Sequence, residues 1–191
     1  GLGLTPNTAD VSTALNALTL GFGDDTPEDY SRMFFESYSD AGIGYRPGAE
    51  KIVLAVLDSW PHDCAFDSIL GGATTSGPDP GRDGIVGTAD DLEILTVLKA
   101  MAARNIKLIT VFSGDSALFP LWEAYSALTG GRAFQINQDG SIPGGVDIAS
   151  FVAGLIKGSI RHFDKVTLQV CDPAFAPWLV SVVPPAYYDI N

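Results

Sequence analysis

The sequence has few of the residues that most often carry catalysis, and little positive charge. Among 191 residues there are two histidines, two cysteines and two methionines, and 11 lysines and arginines face 23 aspartates and glutamates, a formal charge of -12. A negative excess of that size repels phosphate backbones and anionic lipid surfaces, so nucleic acid and membrane headgroups are poor partners. It attracts divalent cations; simple solubility is the plainer reading of the same charge. No apolar run is long enough to span a bilayer, so membrane insertion is not expected. The glycine-rich loops of nucleotide sites (GxGxxG, GxxxxGK) are missing, and so is the GxSxG elbow of a serine hydrolase. His62, Cys64, His162 and Cys171 lack the CxxC or HxxxH spacing of a zinc site. His62-Asp63 lies in a loop, without the further histidines that a phosphohydrolase centre needs. These absences point away from an enzyme. Two cysteines are too few for a disulfide scaffold; Cys64 and Cys171 either pair in an oxidising compartment or serve as small buried hydrophobes. The chain opens with neither an initiator methionine nor a signal peptide, so Gly1 is not expected to be the natural start.

What is present is a well-patterned core, with 46% hydrophobic residues. Residues 8–19 read as an amphipathic helix with Val11, Leu15 and Leu18 on one face and Thr8 or Asp10 as the cap. A second helix is expected to open at Pro27, with Tyr30, Met33, Phe34 and Tyr38 as its apolar side. The continuous apolar runs 51–57 and 106–112 have the character of strands buried on both faces. Helices are expected over 89–104, 117–128 and 146–161, and a short strand over 133–136. Helices alternating with apolar strands predict an α/β fold, a Rossmann-like parallel sheet with helices on both faces. Alternating segments at 165–170 and 178–183 predict a hand-over at about residue 163 to a linker or the start of a β-rich module.

Between the first two strands runs a long polar loop, 60–88, of a length that is usually functional. Its end, Asp79-Pro-Gly-Arg-Asp83-Gly84-Ile85, followed by Asp90-Asp91, resembles the calcium loop of an EF-hand. Asp79 takes position 1, Asp83 position 5, the turn glycine Gly84 position 6, the carbonyl of Ile85 position 7 and Asp90 position 12, with Asp91 beside it. A hard cation requires six to eight oxygens, and a glycine lets early and late carboxylates converge. Gly81 stands at position 3 where an acid is usual, and position 12 is Asp rather than Glu. The alternative is an ordinary Gly/Asp turn whose last acids favour the start of the next helix.

Asp58 directly follows a buried strand, where α/β sheets place their sites. Taken with Gly23-Asp24-Asp25-Thr26-Pro27-Glu28 and the segment Leu121–Ile136, it makes residues 8–162 resemble a von Willebrand factor A domain. The flavour is that of the A-like domain of integrin β chains, in a secreted bacterial form with an EF-like calcium insertion near 60–91. The resemblance implies a metal-dependent adhesion domain, secreted or at the cell surface, that binds a protein ligand's carboxylate through a Mg²⁺-like ion. Glu28 and Asp58 would be ligands, Asp25 would serve the same or an adjacent ion, and Thr26 would stand where other A domains use a threonine. The family's Asp-x-Ser-x-Ser motif, its first strand and the following helix are absent from these residues, so residues 1–162 correspond to the C-terminal portion of such a domain. The missing N-terminal half would come from another chain or from a longer parent. The alternative function is a calcium-stiffened structural subunit of an extracellular filament, sheath or surface layer, in contact with neighbouring subunits. On either reading the cofactor is Ca²⁺, joined by Mg²⁺ on the first.

Overall fold

A computed structural model describes residues 5–19, 27–62, 77–159, 163–167 and 186–190. The chain divides into two compact units, 1–151 and 152–191. In the first unit, strands β1 (Lys51–Leu57), β2 (Ile106–Phe112) and β3 (Arg132–Gln135) form an open parallel sheet in the order β1-β2-β3. β1 and β2 run in register from Lys51↔Ile106 to Leu57↔Phe112. Among the described residues, four helices lie within this unit, α1 (Thr8–Asn16), α2 (Tyr30–Ser39), α3 (Ile94–Ala103) and α4 (Phe119–Leu128), and a fifth, α5 (Ile148–Ser159), begins in it. The protein is thus mixed α/β. In the second unit, β4 (Phe163–Thr167) pairs antiparallel with β5 (Ala186–Ile190).

The core follows from the strand period of two. Ala55 and Leu57 of β1, with Ile106, Leu108 and Phe112 of β2, face one side and pack with Phe34 of α2, Ile94, Leu98 and Met101 of α3, and Leu121, Trp122 and Tyr125 of α4. Ile109 and Val111 point to the other side and are buried as well. Phe134 of β3 meets Phe151 of α5 edge to face, 5.8 Å between ring centroids. Thr129 and the glycines after it bring the chain from α4 into β3. The Thr129 hydroxyl accepts the Leu108 N–H at 2.8 Å and donates to the Ser126 carbonyl at 2.8 Å. A Cβ on Gly131 would stand 1.8 Å from the Leu108 carbonyl oxygen.

Several element boundaries differ from the sequence expectation. The cap of α1 is Asn7, whose side chain accepts the Ala9 N–H, rather than Thr8 or Asp10. The predicted apolar face of that helix is not buried: Val11, Leu15 and Leu18 are 40%, 61% and 74% exposed. Pro27 is not in the first turn of α2, which starts at Tyr30, because Glu28 is held in an isolated parallel bridge to Pro61. α3 starts at Ile94 rather than 89, because Thr88, Asp90 and Asp91 bond back into the preceding loop. The expected strand at 178–183 lies outside the described residues.

Candidate functional site at the carboxyl end of the sheet

β1 ends at Leu57, and Asp58 comes next, exposed at the carboxyl end of a parallel strand. Two hydrogen bonds tie it to α2. The Tyr30 hydroxyl donates to Asp58 Oδ1 at 3.0 Å, and the Asp58 N–H approaches the same hydroxyl oxygen at 3.4 Å. Burial above all, helped by the Asp58 carboxylate, pushes the Tyr30 phenol up to about 12, so it remains a proton donor at neutral pH. An ionised carboxylate has about four acceptor positions, so one phenolic donor leaves Asp58 with oxygen lone pairs open to a cation.

Glu28 is brought to the same region by its backbone. Its N–H donates to the Trp60 carbonyl at 3.0 Å, and its carbonyl accepts the His62 N–H at 3.2 Å. The side chain is exposed. His62 Nε2 lies 3.6 Å from Asp29 Oδ1. From below, Trp122 holds the turn: its indole N–H donates to the Ser59 carbonyl at 3.1 Å, and its ring meets Tyr30 edge to face at 5.4 Å.

A shallow hollow of about 280 Å³ is lined by Asp58, Ser113, Gly114, Asp115 and Gln138. Gly114 is required by close approach, since a Cβ there would stand 2.0 Å from the Asp58 carbonyl oxygen. The sequence reading missed Ser113, Asp115 and Gln138. The signal for Ser113 was the one used for Asp58, a polar residue directly after a buried strand, and Asp115 follows two residues later. Asp115 has a structural task too, since its Oδ1 accepts the Ala117 N–H at 2.9 Å.

The residues of the expected EF-like loop form a second acidic region. Asp79 is fully buried; Oδ1 accepts the Gly81 N–H at 2.9 Å and Oδ2 accepts the Arg32 N–H at 3.0 Å. Its backbone exchanges two 3.0 Å hydrogen bonds with Leu92, which closes the loop at its base. Asp83 Oδ1 accepts the Ile85 N–H at 2.8 Å. Asp90 Oδ2 accepts the Arg82 N–H at 2.6 Å, and Oδ1 accepts the Thr88 hydroxyl at 2.8 Å. The Thr88 hydroxyl first, then the Arg82 N–H, hold the Asp90 carboxyl below its ordinary value. Asp91 accepts the Gly87 N–H at 2.6 Å.

This loop fits a hard cation in part. Its donors are all oxygens, and its two ends converge: a Cβ on Gly81 would stand 2.4 Å from Asp90 Oδ2. Against that, the Arg32 guanidinium donates to the Asp90 carbonyl at 2.8 Å and lies 3.9 Å from Asp90 Oδ2, putting a positive charge where a cation would sit. Among the described residues, no three His, Cys, Asp or Glu side chains are grouped so as to hold a metal ion. Asp25, Thr26, Cys64 and Cys171 lie outside the described residues. Among the described residues no helix is long and apolar enough to cross a membrane. The chain matches no family model and no curated protein with which it was compared.

Proposed function

We propose that this chain is the metal-site portion of a von Willebrand factor A-like adhesion domain, in which Glu28 and Asp58, with Asp25 and Thr26, hold a Mg²⁺-like ion that takes a carboxylate of a protein ligand. The observation that carries the reading is the bridge of Glu28 to the segment just past Asp58. Two acids 30 residues apart in the chain thereby share the carboxyl end of a parallel sheet, with Asp58 pointing into solvent. A small divalent ion that keeps open or water-filled positions suits such a site, because the ligand's carboxylate can complete the shell. Glu28 and Asp58 alone do not fill a coordination sphere. The remaining oxygens are assigned to another polypeptide segment. Two features support such a partner: β1 pairs only with β2 among the described residues and leaves Val56 67% exposed, and α1 has no buried residue. An apolar strand with an open edge is a template for a further strand.

The test uses Mn²⁺ as the probe. Asp58→Ala is expected to abolish the Mn²⁺-dependent rise in melting temperature while leaving the far-ultraviolet circular dichroism unchanged. An equal rise in both proteins would remove Asp58 from the site.

A second reading, a calcium-stabilised structural subunit of an extracellular assembly, is favoured by the loop closed between Asp79 and Leu92. On it, Ca²⁺ is held by Asp79, Asp83, Asp90 and the Ile85 carbonyl, with Asp91 adjacent. Asp83→Ala is then expected to lower the melting temperature only when calcium is present. Identical melting of the parent with calcium and with chelator would reject calcium stabilisation.

A further inference from the structure

We infer that Asp79 is a positioning residue for the Glu28/Asp58 site, acting from loop 79–92 through the first turn of α2; this rests on the reading of that site given above. A helix leaves its first N–H groups without intrahelical partners, and the side chain just before it normally supplies an acceptor. Asp29 holds that position in α2, yet its side chain makes no capping hydrogen bond. The acceptor comes instead from a distant loop, where Asp79 Oδ2 takes the Arg32 N–H at 3.0 Å. A fully buried carboxylate at the positive end of a helix is a strong anchor.

Asp79 is itself fixed. Its other oxygen holds the Gly81 N–H at 2.9 Å, and its backbone is paired in both directions with Leu92. Two further contacts bind the loop to α2: Arg32 donates to the Asp90 carbonyl at 2.8 Å, and Arg82 pairs with Glu36. The clamped turn is the one that serves the site. Tyr30, two residues before Arg32, donates to Asp58 Oδ1, and its own N–H donates to the Glu28 carbonyl at 2.8 Å. Asp79 therefore touches neither Glu28 nor Asp58, but it fixes the turn that joins them. Without the cap, the first turn frays, the Tyr30 hydroxyl leaves Asp58, and the two carboxylates lose their relative placement.

Hydrogen exchange of the whole chain, without metal, tests this directly, with Mn²⁺ affinity as the second readout. Asp79→Ala is expected to speed exchange about tenfold, the scale of losing one helix cap, in two separate segments: 30–34, which it touches, and 57–62, which it does not. Asp79→Asn keeps an acceptor for the Arg32 N–H and is expected to restore most of the protection in both. Thr129→Ala, which removes the bonds to the Leu108 N–H and the Ser126 carbonyl, is the control for general loosening, and 57–62 is expected to stay protected relative to 106–110. Mn²⁺ affinity is expected to fall about tenfold in Asp79→Ala and to recover in Asp79→Asn, a recovery that restored charge cannot explain. Should Asp79→Ala unfold the chain, Asp79→Ser replaces it, with the same joint opening of 30–34 and 57–62 required. Exchange at 57–62 unchanged while 30–34 opens would overturn the inference. If the parent takes up no Mn²⁺ at Glu28 and Asp58, the metal reading fails, and the exchange experiment still decides the role of Asp79.

Discussion

Trp122 illustrates how single side chains support the candidate site from beneath. It is fully buried, packs edge to face against Tyr30, Phe34 and Tyr125, and spends its one donor on the Ser59 carbonyl, next to Asp58. Acidic side chains hold the same region from the side. Glu36 is kept below its ordinary value by its hydrogen bond from Arg82, then by that from Ser39, and Asp90 by the Thr88 hydroxyl. A carboxylate whose folded pKa is depressed stabilises the fold above its unfolded pKa, and that contribution is lost as pH falls through the folded value. Melting temperature is therefore expected to decline as pH falls below about 4.5, where carboxylates of the unfolded chain begin to protonate. Glu36→Gln removes one of these groups and is expected to flatten the decline. A profile as steep as the parent's would show that the pairing of α2 with the loop contributes nothing to acid stability.

At the scale of elements, the β-α-β connection from α4 to β3 is the most tightly specified. Gly131 lies against the backbone of β2, and a Cβ 1.8 Å from a carbonyl oxygen has no flexible neighbour to displace. Gly131→Ala is expected to cost at least about 3 kcal/mol, the upper range for forcing atoms into a packed interior. For a unit of this size that corresponds to a melting temperature lower by roughly 6–12 °C, which calorimetry would read. A drop of less than a degree or two would mean that β3 can move away from β2. The elements built on local pattern were legible in the sequence. β1 and β2 have the bounds that their apolar runs predict, but only β2 is buried on both faces as such a run implies; β1 leaves Val56 67% exposed. The start of α3 was not legible, since Asp90 and Asp91 are as acceptable in a first helical turn as in the loop to which they are bonded. α2 misled the reading for a related reason: Pro27 suits a helix start, and only the distant bridge to Pro61 keeps Glu28 extended. For the candidate site, Asp58 is marked by its position directly after an apolar strand, and Glu28 only by the resemblance to an A domain. The roles of Tyr30 and Asp79 depend on partners 28 and 47 residues away, which no local pattern encodes.

At the scale of the whole molecule, a formal charge of -12 attracts cations, and a parallel α/β sheet places its sites beyond the carboxyl ends of its strands, where Asp58 stands. The first unit also has apolar surface to spare, in Val56 of β1, which pairs only with β2 among the described residues, and along one side of α1. Both traits suit a domain that is completed by further polypeptide and that meets its ligand through an ion. The most direct test is to map Mn²⁺ by paramagnetic broadening of backbone amide resonances. Broadening centred on Glu28, Asp58 and Ser59, and lost in Asp58→Ala, is the predicted result. Broadening confined to residues 79–91, or none near Asp58 at millimolar Mn²⁺, would contradict it.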